Sequence, residues 1–285
     1  MAKTHDLKRR IRSIKNTMQV TKAMKMVSAA RLRRAQDRIL AARPFAVTTG
    51  KVLSSLAART SPERHPLLVQ RDIKKVELVL VTSDRGLCGS FNANAIKAAT
   101  AFLGQHRPET LNIMTVGRRG RDFVRNPKLP ITAEWLAIFR NLDFSTAQVI
   151  GDDLIKRYVG GEIDAVYIAY NEFKSVVSQR PVVEQILPIP RAELVAAGDG
   201  EEYIFEPEAE TLLGAILPGY VRVQVWRALL ESAAAEHAAR MTAMDSATKN
   251  AKELTEALTL HMNRVRQASI TTAIIEVVSG AAALE

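Results

Sequence analysis

Two long stretches of this chain, one towards each end, lack the residues that stop helices. From Met1 to Arg43 there is neither glycine nor proline, and from Tyr220 to Ser279 there is again neither. An ordinary globular helix runs about 11–12 residues, so such lengths point to a coiled coil or a helical repeat. At about 1.5 Å per residue the second stretch would be roughly 90 Å long and the first roughly 65 Å. The roughly 150 residues between them would fold into a globule only about 40 Å across. Both helices are therefore expected to reach beyond it. Aromatic residues make up 5% of a chain that is 47% hydrophobic, which suits long helices built on Ala, Leu and Met.

The apolar spacing agrees. Leu7, Ile11, Ile14 and Met18 step by four, three and four, the seam of a coiled coil. That register continues through the polar Thr21, Lys25 and Ser28 and recovers at Leu32, Ala35 and Ile39. Val20, Met24 and Val27 form an apolar row displaced by one position, so the seam is expected to shift around the helix there. In the last segment Met244, Ala247, Ala251, Leu254, Leu258, His261, Val265 and Ala268 keep the same rhythm, and the alanines permit close approach. Pairing with a second copy of the chain would satisfy these seams. Pairing within the chain is simpler, because one insert then joins two antiparallel helices.

The middle alternates strands and helices. Strands are expected at Lys75–Thr82, Leu111–Val116, Ile131–Trp135, Ile163–Tyr170, Val182–Leu187 and Glu202–Phe205, the last two nearer an edge. Helices are expected at Asn92–Leu103, Arg118–Arg125 and Thr146–Val159. This order predicts a mostly parallel sheet of Rossmann-like topology inserted between the two helices. The expected division is 1–60 for the first helix, 70–206 for the α/β insert and 208–285 for the last helix. Pro44, Pro62, Pro66, Pro207 and Pro218 mark the expected joints.

Charge is concentrated at the start. The net charge is +10, but residues 1–43 hold thirteen Lys and Arg against two Asp, leaving the rest near neutral. A nucleic acid, an acidic protein partner and a solvated helix face all remain open on charge alone. The basic stretch has no interleaved aromatic residues, and no nucleic-acid reader motif is recognisable. Cys88 is the only cysteine, which excludes an internal disulfide and fits a reducing compartment. The first fifteen residues are too charged for a secretory signal, and no apolar run reaches the length of a membrane span.

Signs of chemistry are sparse. Ser83–Ser90 (SDRGLCGS) follows a strand and precedes a helix, where phosphates can bind, yet it is neither G-x-G-x-x-G nor a P-loop. A tight turn allowing close helix–sheet packing is the plainer reading. The five histidines (His5, His65, His106, His237 and His261) have no metal-ligand spacing and no triad order around Cys88. No catalytic, metal or cofactor site is expected. Near the C-terminus Ile270, Ile274, Ile275, Val277 and Val278 cover about half the helix circumference, more than a two-helix seam needs. They are expected to pack on the chain's own globule or in an apolar sleeve made by partners.

Several of these segments resemble the gamma subunits of F-type ATP synthases. They are Ile11-Arg-Ser-Ile-Lys-Asn-Thr-Met18, Thr21-Lys-Ala-Met-Lys-Met-Val27, Ser83-Asp-Arg-Gly-Leu-Cys-Gly89, Arg266-Gln-Ala-Ser-Ile-Thr271 and Glu276-Val-Val-Ser-Gly-Ala-Ala282. The resemblance implies a non-catalytic rotor shaft, without cofactor, inside a ring of alpha and beta subunits. It implies ring contacts at Met24, Arg266, Gln267, Thr271, Ile274, Glu276 and Val278. It also implies a foot including Tyr203, Phe205 and Glu206, docked on the epsilon subunit and the membrane c-ring. No nucleic acid is implied. The place implied is the cytoplasmic face of a bacterial inner membrane, peripheral and not inserted. The cysteine pair of chloroplast relatives is absent here.

Overall fold

The computed structural model describes residues 2–59, 65–105, 109–126, 129–190 and 209–282. In chain order these form α1 (Ala2–Arg59), β1 (Lys75–Val81), α2 (Phe91–Gln105), β2 (Thr110–Val116), α3 (Arg118–Arg125) and β3 (Ile131–Trp135). A 3-10 turn at Ile138–Arg140 follows, then α4 (Phe144–Val159), β4 (Ala165–Phe173), β5 (Gln179–Leu187) and α5 (Ala209–Ala282). The chain divides into two compact units, residues 29–240 and residues 1–28 with 241–285. The expected strand at Glu202–Phe205 lies outside the described residues.

The larger unit is built on one five-stranded sheet of order β3-β2-β1-β4-β5. The pairs β1–β2, β1–β4 and β2–β3 are parallel, and β4–β5 is antiparallel at the edge. Central β1 reads Lys-Val-Glu-Leu-Val-Leu-Val and is buried beyond its first residue. A strand covered on both faces needs such an unbroken apolar run rather than alternation. Its side chains divide by parity between two layers. Leu78 and Leu80 meet Ala99 of α2 and Val124 of α3. Val79 and Val81 join Ala147, Ile150 and Leu154 of α4. Pro181 sits in β5, an edge strand, where a missing N–H is tolerated. Helix α4 starts where Asp143 accepts a hydrogen bond from Phe144 N at 2.8 Å.

The second half of α1 and the first half of α5 belong to this core. Leu53, Leu56, Leu213, Leu217, Val221, Val225 and Leu229 are buried with the α4 face of the sheet. This corrects the expectation that Pro44 and Pro218 are joints, since both lie inside helices. A proline within a helix loses one hydrogen bond and clashes with the preceding turn. Around Pro218 that cost is offset by Leu217 and Val221, both fully buried. Beneath the sheet lies a buried ion pair. Glu77 of β1 is fully buried, accepts from Arg157 Nη2 at 2.8 Å and also accepts from the Thr132 hydroxyl.

In the smaller unit the start of α1 and the end of α5 pair as an antiparallel two-helix coil. Thr21 meets Thr248 and Lys25 meets Asp245, so numbers rise on one helix as they fall on the other. On α1 the seam runs unbroken: Ile11, Thr21 and Ser28 are buried, and Leu7, Ile14, Met18 and Lys25 are half-buried. The expected shift to the displaced apolar row does not occur. Val20 and Val27 remain 58% and 52% exposed while the polar positions face α5. On α5 the seam drifts by one position. Leu254 is 50% exposed and His261 is exposed, and Thr255 and Met262 stand half-buried beside them. A strict heptad read on a helix of about 3.6 residues per turn accumulates this error, which corrects the interface role expected of His261.

Candidate functional site

In an open α/β sheet the usual ligand crevice lies beyond the carboxyl ends of the strands, where the strand order reverses. Here that point falls between β1 and β4, and the Ser83–Ser90 loop crosses it. Several of its polar groups are already paired with neighbouring protein groups. Ser83 N donates to Asn92 Oδ1 at 2.9 Å, Ser83 Oγ donates to Arg85 O at 2.6 Å, and Phe91 N donates to Cys88 O at 3.2 Å. Asp84 Oδ1 accepts from Arg118 N and Ala137 N at 3.2 and 3.0 Å. Cys88 is buried, and Asn92 Nδ2 donates to its sulfur at 3.2 Å.

Helix α5 closes the crevice. Ala235 and Ala239 pack on Cys88 and Phe91, with Phe173 at the end of β4 beside them. Arg240 Nη2 reaches Arg85 O and Gly86 O at 3.4 and 3.3 Å and pairs with Glu236 at 2.7 Å. Burial raises the Glu236 carboxyl above its ordinary range, against the pull of Arg240. Burial also pushes His237 down to about 4, helped by Arg240 and Arg31, so it stays neutral. The loop read in the sequence as a tight turn is therefore a clasp between sheet and helix. Where related topologies hold a nucleotide, this chain holds its own helix. Among the described residues no cluster of His, Cys, Asp or Glu is arranged to bind a metal ion.

The surfaces offered outward lie on the coiled pair. The two hydroxyl and salt-bridge contacts set opposing residue numbers to a sum near 269 or 270, so Ala2 stands opposite about residue 267. Helix α5 continues to Ala282 and so runs on past its partner. That extension carries Ile270, Ile274, Ile275, Val277 and Val278, which are 52–72% exposed. Packing on the chain's own globule is thus not what occurs. Arg266, Gln267, Thr271 and Glu276 stand exposed on the same stretch, and Thr271 Oγ1 donates only to Gln267 O at 3.0 Å. Met24 is half-buried on α1 between exposed Val20 and Val27. Tyr203, Phe205 and Glu206 lie outside the described residues.

One arrangement was missed by sequence reasoning. Lys25 Nζ lies 2.6 Å from Asp245 Oδ1, Lys249 Nζ lies 3.1 Å from Asp245 Oδ2, and the Thr21 and Thr248 hydroxyls are 2.8 Å apart. The hydrogen bond from Lys25, then that from Lys249, holds the Asp245 carboxyl below its ordinary range. Its signal was present: the heptad register of α1 passed through three polar residues without breaking.

A family model described as ATP synthase matches residues 3–284. The ATP synthase gamma chain of Solibacter usitatus is 51% identical over 284 residues, covering 98% of each chain. That of Anaeromyxobacter sp. (strain Fw109-5) is 49% identical over 290 residues, covering all of both. Among solved structures, a central stalk and c-ring chain of the Tetrahymena thermophila mitochondrial ATP synthase aligns with a TM-score of 0.63 at 30% identity. That match covers 80% of this chain and 99% of the other. A rotor chain of the Euglena gracilis mitochondrial ATP synthase, 20% identical, shares the fold with a TM-score of 0.69 over 94% of this chain and 99% of its own.

Proposed function

Because the chain belongs to the ATP synthase gamma-chain family, we propose that it works as a rotor shaft through the faces its two long helices leave open. It is a non-catalytic subunit, and ATP chemistry belongs to the alpha–beta ring around it. The observation that carries this reading is the lone end of α5, an apolar helix that outruns its partner. A single helix of that length is marginal in water, and its isoleucines and valines gain only when something encloses them. An apolar sleeve formed by alpha and beta subunits supplies that enclosure while leaving rotation free.

Contacts with the ring then fall on Arg266, Gln267, Thr271, Ile274, Glu276 and Val278 of α5 and on Met24 of α1. The shaft is asymmetric, since α1 exposes Val20 and Val27 beside Met24, whereas α5 exposes Leu254 and Leu260 at other heights along the pair. As it turns, each beta subunit meets a different face. A partner shifts a conformational equilibrium only through contacts that differ between the states, and this asymmetry provides them. The basic start of α1 meets acidic surfaces of the ring, an attraction that guides docking without demanding one register.

The foot docks on epsilon and the c-ring, with Tyr203, Phe205 and Glu206 among its contacts. Proton flow through that ring drives the rotation. The chain is peripheral to the cytoplasmic face of a bacterial inner membrane, and no helix among the described residues is long and apolar enough to cross it. Replacing Ile274 and Val278 together by Asp tests the assignment in the assembled complex. Loss of ATP-driven proton pumping, with the α/β unit still melting normally, is the expected result. Pumping that is unchanged would refute the seating of this tip.

A further inference from the structure

Next to the polar contacts the α5 side of the coil has little that indexes an alignment. From Met244 its half-buried seam positions run through Ala247, Thr248, Ala251 and Thr255, all small, and large side chains return only at Leu258, Met262 and Val265 towards the far end. Antiparallel helices with such a seam can slide, given only a local change of winding near their roots. A single polar or charged seam position is the usual means of preventing it.

Sliding by one heptad so that Thr21 meets Thr255 would pair the hydroxyls again and set Ile11 against Val265 in place of Leu258, apolar on apolar as before. It would also carry Lys25 from Asp245 to Lys252, opposing two like charges. Asp245 grips both Lys25 at 2.6 Å and Lys249 at 3.1 Å, so its carboxylate is held from two helices at once. The neighbouring Thr21 and Ser28 are 8% and 3% exposed, which sets the polar group well into the seam. Lys25 and Asp245 keep 43% and 32% of their side-chain surface, so the pair adds little stability by itself. Its effect is to choose between alignments that apolar contact leaves nearly equal.

We propose that Lys25, Asp245 and Lys249, with the Thr21–Thr248 contact, form a register lock that fixes the axial alignment of α1 against α5. The lock keeps the Val20–Val27 row at one height relative to the lone α5 tip. It is a property of the helix pair alone and requires no partner, so it can stand or fall separately from the rotor assignment.

The test uses the full chain with Cys88→Ser and spin labels on cysteines replacing Lys8 and Asn250, both exposed. Pulsed electron–electron double resonance then reads their separation. The parent chain is expected to give one narrow distance. Lys25→Asp removes the attraction to Asp245 and creates one to Lys252, so a second population displaced by about 10 Å, one heptad at about 1.5 Å per residue, is expected. Lys25→Asp combined with Asp245→Lys restores the single distance. A Lys25→Asp chain that keeps the parent distance overturns the lock. If that chain instead gives a broad distribution, restoration by the swap supports the lock and failure of the swap overturns it.

Discussion

Replacing Arg157 by methionine strips Glu77 of its cation while leaving the side-chain volume similar. Glu77 is fully buried and would retain only the Thr132 hydroxyl, because Arg157 is its one charged partner among the described residues. Breaking a buried pair from one side costs about 3–5 kcal/mol. The expected loss is therefore about 3–5 kcal/mol, or roughly 6–20 °C in melting temperature for a unit of this size. Guanidinium unfolding followed by the fluorescence of Trp135 and Trp226, both in this unit, measures the change. Adding Glu77→Gln to the variant should recover most of the loss at pH 7. A deficit below about 1 kcal/mol, or one that the added Glu77→Gln leaves unchanged, would refute the reasoning.

Three further outcomes are expected. His237, held neutral with its pKa near 4 against about 6.5 unfolded, contributes stability that is complete above pH 6.5 and lost as pH falls towards 4. That loss reaches about 3 kcal/mol, and His237→Leu should flatten this part of the pH profile of chemical unfolding. Gly117 has φ 90°, and a Cβ there would lie 2.2 Å from the Thr82 carbonyl oxygen, so Gly117→Ala should lower the melting temperature by more than a surface change does, by at least 2 kcal/mol in the same unfolding assay. Val20→Ser with Val27→Ser should leave melting within about 0.5 kcal/mol, because both are more than half exposed, yet weaken co-purification with alpha and beta subunits.

What could be read in advance follows from how local each signal is. The Val- and Leu-rich run of β1 declares a strand buried on both faces, and Gly160 and Gly161 fall where α4 ends. Edge placement of β5 was legible from its proline. Pro44 and Pro218 misled because burial of flanking residues, which only the folded core supplies, outweighs the local break. The seam of α1 was expected to follow Val20, Met24 and Val27, since apolar rows usually face inward. It stays on Thr21, Lys25 and Ser28 because α5 brings Thr248 and Asp245 to meet them, more than 200 residues away in sequence. The C-terminal tip was legible as too greasy for one seam. That its isoleucines and valines stay exposed depends on the alignment set by the Thr21–Thr248 contact, which no periodicity contains.

Hydrogen exchange along residues 270–279, measured on the isolated chain and on the assembled complex, bears most directly on whether this tip is a partner-seated bearing. In the isolated chain these amides should exchange within seconds, as a lone helical extension frays, while those of Val79 and Ile168 stay protected. Assembly with alpha and beta subunits should slow them by orders of magnitude. Strong protection already present without partners, or none gained on assembly, would contradict the account.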